Sequence, residues 1–196
     1  MFCECLCNLP AELHPWEPCP PIQRQDLWQA LPLSTRQRVI AGGEHFLKQE
    51  LPHLTASQYL SFTRCGSRTT YEIPYFLRRR ILCHLVAAEC CENQGRFLDR
   101  IVDLLWMLCE ESGWQVPAHN TYIRDTPQLP LPDTQRPIID LFAAETGALL
   151  AMTCCGNPWT TSALACANEL HKSWSTEFSP PISTVTFGGW DEDKRW

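Results

Sequence analysis

The chain has 196 residues, of which 44% are apolar and 19% charged, and its formal net charge is -6. This composition indicates a globular chain of single-domain size rather than a disordered one. The acidic balance argues against a nucleic-acid partner, which would need a basic face.

Twelve cysteines would suit a secreted disulfide framework, but the N-terminus argues against export. Residues 1–10 (MFCECLCNLP) lack a basic region and a sustained apolar segment, so no signal peptide is apparent. No run of about 18 apolar residues is present to span a bilayer. We therefore expect a cytoplasmic protein with reduced thiols and no membrane partner.

Cys3, Cys5 and Cys7 have no second cluster at zinc-ligand spacing, so we expect no metal and no other cofactor.

The first elements in chain order are an irregular lead-in and a short helix. Residues 1–24 hold five prolines, which predict an extended segment because each proline removes a backbone donor and restricts the residue before it. Weak helical periodicity begins at Asp26 and stops at Pro32.

A second helix is predicted from Ser34, a suitable N-cap residue, to about Leu51. Gly42 and Gly43 lie in its middle, where each glycine costs about 1 kcal/mol relative to alanine.

The strongest pattern is a pair of helices at 71–91 and 97–112. Apolar residues recur at helical spacing through both, and in the second they cover most of the circumference. The link between them is short, so the two helices must lie antiparallel. The residues that we expect to be largely buried are Leu85, Ile101, Leu105 and Leu108.

Residues 113–137 contain five prolines and little periodicity, and irregular loops of this length are often functional. A further helix is predicted from Pro137 to about Leu150. Because strand alternation is absent before residue 180, the predicted fold class is all-α. The predicted organisation is a lead-in at 1–24, a helical domain at 25–153 and a tail at 154–196.

Several strings, in their order and spacing over residues 12–152, resemble the N-terminal portion of heparinase II/III-like proteins. The strings are FTRCGSR at 62–68, YFLRR at 75–79, GRFLD at 95–99, CEE at 109–111, WQVPAHN at 114–120 and IDLFAAET at 139–146.

The resemblance implies an incomplete α/α toroid of antiparallel helical hairpins. It also implies a polysaccharide lyase that acts by β-elimination on glycans containing uronic acid. In such chemistry the sugar carboxylate is neutralised, a Tyr or His removes the C5 proton, and a Tyr returns a proton to the leaving oxygen. The family residues with these roles lie mainly downstream, and no catalytic residue is assigned here. We expect an N-terminal fragment that is inactive alone and binds acidic polysaccharide or oligosaccharide weakly.

His119 and Asn120 are the first candidate substrate-binding residues, because they follow Pro117 on the long loop and could contact sugar hydroxyls or a carboxylate. The alternative is that His119 orders the loop by bonding a neighbouring backbone group. Trp114 is a third candidate, which could stack on a sugar ring or belong to the core.

Glu145 and Arg79 complete the candidate set. Glu145 lies among apolar neighbours and could be the partner of a buried arginine. Residues 78–80 are three successive arginines, of which at least one must point away from solvent. That arginine could pair with Glu110, Glu145 or a substrate carboxylate, although a solvated charge run is the favoured interpretation.

Two other functions are open. A six-hairpin-type glycoside hydrolase would need two carboxylates across a cleft, and no such pair is evident. A helical-repeat interaction module would need a fixed sequence period, and none is found.

The family-like pattern stops at about residue 154. The string TFGGW at 186–190 can be encoded by codons that, read one base earlier, spell DFWWM, which resembles a family string at about this distance. We therefore hypothesise that the tail at 154–196 is translated out of frame and poorly ordered. The alternative is a divergent natural C-terminus.

Overall fold

The computed structural model describes residues 20–123 and 126–154. Within these residues it contains α-helices, one 3-10 turn and no β-strand, which confirms the predicted all-α fold class. The helices are α1 (Gln25–Gln29), α2 (Leu33–Leu47), α3 (Ala56–Tyr59), α4 (Ser61–Cys65), α5 (Thr69–Glu92), α6 (Leu98–Cys109) and α7 (Leu141–Cys154), and the 3-10 turn covers Pro117–His119. Most of the predicted lead-in, and the predicted tail from residue 155 onward, lie outside the described residues.

Helices α5 and α6 form the predicted hairpin. The reversal between them uses two residues in the left-handed region, Asn93 at φ 55° and Gly95 at φ 79°. Glu89, in the last turn of α5, accepts hydrogen bonds from the backbone N–H groups of Gly95 (2.6 Å) and Phe97 (3.3 Å). Because Glu89 is only 1% exposed, a buried carboxylate ties the end of α5 to the start of α6.

The main core lies along the facing sides of this hairpin. Its fully buried members are Ile81, Leu82, Leu85, Ala88, Phe97, Ile101, Leu104, Leu105 and Leu108. The four residues that the sequence predicted to be buried are all in this set, with at most 2% of their surface exposed. The core confirms the apolar periodicity read from the sequence.

Helix α2 differs at both ends from its prediction. It begins at Leu33 and ends at Leu47, and its N-cap position is Pro32, which has no side-chain cap. The prediction that Ser34 caps the helix is wrong, because Ser34 already lies inside the first turn. The carbonyl of Pro32 accepts the N–H groups of Thr35 (2.9 Å) and Arg36 (3.1 Å), so the backbone itself starts the helix.

Gly43 explains how α2 approaches α5. A Cβ atom at this position would lie 2.4 Å from the Cβ of Ala88 and 3.1 Å from the Phe97 ring. Real Cβ atoms do not come this close, so any larger residue would push the two helices apart. The intrinsic cost of glycine in a helix is offset by the close packing that it permits.

Helix α1 is short, and side-chain hydrogen bonds attach it to the C-terminal end of α5. Gln25 Nε2 donates to the carbonyl of Cys90 (3.1 Å), and Gln29 Nε2 donates to the carbonyl of Cys91 (3.1 Å). The last carbonyls of a helix have no intrahelical partner, so the two amides satisfy acceptors that would otherwise need water.

Helix α7 starts later than predicted. It begins at Leu141, and Asp140 caps it, since Asp140 Oδ1 accepts a hydrogen bond from the N–H of Ala143 (2.7 Å). An aspartate in this position satisfies one of the unpaired donors of the first turn. The prediction that Pro137 opens this helix is therefore wrong, because the chain up to Asp140 stays irregular.

Candidate functional site

A buried ion cluster lies beside the C-terminal end of α6. Arg78 Nη1 donates to Glu111 Oε1 (3.0 Å), and Arg79 Nη2 donates to Glu111 Oε2 (2.7 Å). All three side chains are at least nine-tenths buried. One carboxylate thus faces two guanidinium groups, and these three side chains together carry one surplus positive charge.

Arg79 joins α5 to α7 as well as to Glu111. Its Nε donates to Thr146 Oγ1 (2.8 Å), and its Nη1 donates to the carbonyl of Tyr75 (3.1 Å). The guanidinium carbon also lies 3.3 Å from the centre of the Tyr75 ring, a cation–π contact. Arg79 is therefore fully engaged in holding three segments together.

The interpretation of residues 78–80 as a solvated charge run is wrong for Arg78 and Arg79 and holds only for Arg80, which is exposed. The carboxylate that pairs with them is Glu111. Glu145 lies on the exposed side of α7, away from the ion cluster.

Aromatic side chains pack in series next to the ion cluster. The ring centres of Tyr59 and Tyr71 are 4.8 Å apart, and those of Tyr71 and Tyr75 are 5.9 Å apart. Phe76 continues the series to Phe142 at 5.0 Å. These rings connect α3, α5 and α7, and they form a second small core under the irregular segment 113–137.

His119 lies at the far end of this series. Its ring is stacked on Phe142 with 5.7 Å between centres, and its Nδ1 lies 2.7 Å from Asp140 Oδ2. The same oxygen of Asp140 accepts the N–H of Val116 (3.3 Å). About a third of the His119 side chain is exposed, while Asp140 is buried. The result is a histidine–aspartate pair in which the imidazole is partly exposed.

Asn120 is buried inside the loop. Its Nδ2 donates to the carbonyls of Leu129 (2.8 Å) and Leu131 (2.9 Å), and its Oδ1 accepts from Gln115 Nε2 (3.0 Å). No part of the residue is exposed. Its side chain orders the segment 113–137 from within and is not directed at a groove.

Trp114 is half-buried, and its indole N–H donates to the carbonyl of Leu108 (2.8 Å), in the last turn of α6. Its own carbonyl accepts the hydroxyl of Tyr75 (2.6 Å). These bonds attach Trp114 to the end of the hairpin.

A cavity of about 630 Å³, called the basin below, opens between the end of α6 and the segments around residues 53–56 and 131–134. Its wall includes His53, Tyr59, Tyr71, Arg78, Met107, Glu110, Glu111 and Thr134. Its volume lies within the range of about 300–1,000 Å³ that is typical of small-ligand sites. The predicted candidates His119, Asn120, Trp114, Glu145 and Arg79 lie outside this wall.

Two residues of the basin wall each have a donor atom without a protein partner. Tyr71 is 5% exposed, and within the described residues its hydroxyl makes no hydrogen bond. Arg78 is 6% exposed; its Nε donates to the carbonyl of Pro52 (2.8 Å) and its Nη1 to Glu111, which leaves Nη2 without a partner among the described residues. Both atoms reach solvent, because the buried side-chain atoms without a partner in the described part of the chain are Arg36 Nε, Arg100 Nε and Gln115 Oε1. A ligand acceptor could therefore replace water at these two donors.

Burial keeps these phenols protonated. It raises the pKa of Tyr71 well above its ordinary value, and the nearby Glu111 carboxylate acts in the same direction. Burial likewise raises the pKa of Tyr59. At neutral pH both hydroxyls are therefore hydrogen-bond donors and not bases.

The sequence analysis missed Tyr71 and Glu111 as members of a site. One signal for Tyr71 was present, because Tyr71 and Tyr75 lie four residues apart and therefore share a helix face. The signal for Glu111 was weaker. It is one of two acidic residues that follow an apolar helix, and the partner helix carries successive arginines.

No protein-family model matches the chain, and no curated protein is significantly similar to it.

Among residues 20–123 and 126–154, no group of three or more His, Cys, Asp or Glu side chains is placed to hold a metal ion. In the same part of the chain, every helix is too short or too polar to cross a bilayer.

Proposed function

We propose that this chain is the N-terminal helical part of a heparinase II/III-like polysaccharide lyase, and that its basin binds a uronate residue of an acidic polysaccharide. In this proposal residues 25–153 form the first hairpins of an incomplete α/α toroid. The resemblance of the strings at 62–68, 95–99 and 114–120 suggests the family. The helical hairpin and the irregular segment 113–137 are compatible with it.

The observation that carries the proposal is the pair of unpartnered donors on the basin wall. A uronate carboxylate has two acceptor oxygens, and the Arg78 guanidinium together with the Tyr71 hydroxyl offers donors of matching type. Arg78 is already oriented by its bonds to Pro52 and Glu111, so little conformational freedom is lost on binding. The charged side chains of the wall are Arg78, Glu110 and Glu111, so the preference for an anion over a neutral sugar would come from a direct bond to the Arg78 guanidinium and not from a net positive charge.

Neutralising the uronate carboxylate is also the first requirement of β-elimination, because it makes loss of the C5 proton possible. Tyr71 is poorly suited to remove that proton, since burial keeps its hydroxyl protonated. The proposed role of this part of the chain is therefore substrate binding and charge neutralisation.

The basin favours this function over a six-hairpin-type glycoside hydrolase. Such an enzyme needs one free carboxylate and one protonated carboxyl group across the sugar. Glu110 and Glu111 line the basin, but Glu111 is neutralised by two guanidinium groups. The basin also favours the proposed function over a helical interaction module, because such a module does not need hydrogen-bond donors in a cavity.

The experiment is an NMR titration of the labelled chain with glucuronate and, separately, with glucose. Glucuronate is expected to bind with a millimolar dissociation constant and to shift the signals of Tyr71 and of the Arg78 side chain. Glucose is expected to bind at least about tenfold more weakly, because it lacks the carboxylate.

The test variant is Tyr71→Phe, which removes a hydroxyl that bonds nothing in the described protein and so preserves the fold. We expect it to weaken glucuronate binding about fivefold to tenfold, as for one lost hydrogen bond to a charged group. Tyr122→Phe, which alters an exposed phenol that does not line the basin and that bonds Asp133 and the carbonyl of Arg136, is the control. Equal affinity for glucose and glucuronate, or equal effects of the two variants, would exclude the proposal.

A further inference from the structure

Helix α7 is apolar around most of its circumference, but the described helices cover only one of its sides. Its one charged residue is Glu145, and its buried members are Ala143, Thr146 and Thr153. A helix without a polar side is typical of a protein interior, where neighbours cover it all round. The composition of α7 therefore predicts a further neighbour on its other side.

That other side, called the open face below, runs along the whole helix. Its exposed members are Leu141, Ala144, Glu145, Ala148, Ala151 and Met152. They lie three or four residues apart and so share one side of the helix. Leu141 is 55% exposed and Met152 40%. The open face is thus an apolar surface about 17 Å long that carries one carboxylate.

The sequence that follows α7 contains a complementary pattern. Residues 155–196 lie outside the described residues, and they continue directly from the end of α7. Among them Ala163, Ala167, Leu170 and Trp174 recur at i, i+4, i+7 and i+11, the spacing of one side of a helix. On the opposite side of the same pattern the residues are mainly polar, and include Asn168, Glu169 and Lys172.

The open face and this pattern match in length. Leu141 to Met152 covers twelve residues, and so does Ala163 to Trp174. The eight residues between them and the end of α7, 155–162, include a glycine and a proline, and connections of this length join antiparallel helices. An antiparallel return that starts beside Met152 brings Trp174 to Leu141.

The same register brings Leu170 to the middle of the open face, where the alanines at 144 and 148 leave room for a large side chain. His171 then lies beside Glu145, which forms no ion pair within the described residues. An imidazole N–H can donate to a carboxylate, so the one charge of the open face gains a partner.

We propose that residues 163–174 of this chain cover the open face of α7 as an antiparallel return. The inference does not depend on the basin, so it stands or falls separately from the proposed function. It adopts the natural C-terminus over an out-of-frame tail, because an unselected sequence has no reason to match α7 in pattern and length.

Nuclear Overhauser effects in the labelled full-length chain test this contact directly. They are expected between the Ala148 methyl group and Leu170, and between the Met152 methyl group and Ala163, within one molecule. A sample that mixes differently labelled copies distinguishes the occupants. Effects seen only between copies would show that a second chain covers the open face, and their absence in both samples would leave it uncovered. Either result overturns the proposal.

Two variants that introduce the same carboxylate test the register. Leu170→Asp places it against the open face and is expected to speed the oxidation of Met152 by hydrogen peroxide, as measured by mass spectrometry. Asn168→Asp places it on the polar side of the pattern and is expected to leave that rate unchanged. Met107, which lies on α6, is the internal reference. Equal oxidation rates of Met152 in the two variants would contradict the proposed cover.

Discussion

Arg79 and Glu111 are joined by a hydrogen bond of 2.7 Å between Nη2 and Oε2, and neither side chain is more than 10% exposed. Glu111 lies two residues beyond α6, so this contact attaches the start of the irregular segment to α5. Because Arg78 bonds the other oxygen of the same carboxylate, both arginines depend on Glu111 for their charge balance.

Glu111→Gln is therefore expected to lower the free energy of unfolding by about 3 kcal/mol or more, since it leaves buried guanidinium groups without a carboxylate. Urea unfolding followed by circular dichroism measures the change. Glu110→Gln, at the exposed neighbouring position, is expected to change the same quantity by less than about 0.5 kcal/mol. Similar effects of the two substitutions would contradict the buried ion cluster.

Gly43→Ala is expected to destabilise the protein by about 1–3 kcal/mol, because the added methyl group meets Ala88 and the helices must separate. Gly147→Ala is the matched control in α7, where an added Cβ meets nothing within 4 Å. In an open helix position the same substitution is expected to stabilise by about 1 kcal/mol. Thermal unfolding of both variants would test this difference in sign.

His119→Ala is expected to lower the free energy of unfolding by about 1–2 kcal/mol, through loss of its bond to Asp140 and its stacking on Phe142. Asp140→Ala is expected to cost more, because it also removes the cap of α7 and the acceptor for Val116. The double variant measures the coupling between the two side chains, and additive effects would show that the pair contributes nothing. His53→Ala, at an exposed position, is the control.

Stability is expected to fall as the pH rises above about 10, the ordinary pKa of tyrosine. Burial raises the pKa of Tyr75 to about 12 in the folded protein, and those of Tyr59 and Tyr71 are raised too. Above the unfolded pKa the unfolded state loses these protons first, so the contribution is present below pH 10 and is lost as the pH approaches the folded value. Urea unfolding at several pH values measures the slope. Tyr75→Phe should make it shallower.

The chain alone is expected to give no unsaturated product from heparan sulfate, alginate or related uronates, as followed by ultraviolet absorbance. The proposed function assigns substrate binding and not proton abstraction to this part of the chain, and the Tyr71 hydroxyl stays protonated at neutral pH. Measurable elimination would show that a complete acid and base set lies within these 196 residues. A commercial lyase on the same substrates serves as the positive control.

The sequence by itself determined the helices and the main core. Apolar residues at helical spacing require one buried face, and this local requirement correctly predicted the α5–α6 hairpin and the burial of Leu85, Ile101, Leu105 and Leu108. It also predicted the irregular segment 113–137, because several prolines close together remove backbone donors that a regular helix needs.

Only the tertiary structure decided which polar groups are buried and what they contact. In the sequence alone, the arginines at 78 and 79 resemble a solvated charge run. Their burial depends on Glu111, which lies more than thirty residues away. The same holds for Gly43, whose role is set by the approach of α5, and for Asn120, whose partners lie across a loop. Helical periodicity follows from neighbours three and four residues apart, whereas the partner of a buried charge or amide follows from how distant segments pack.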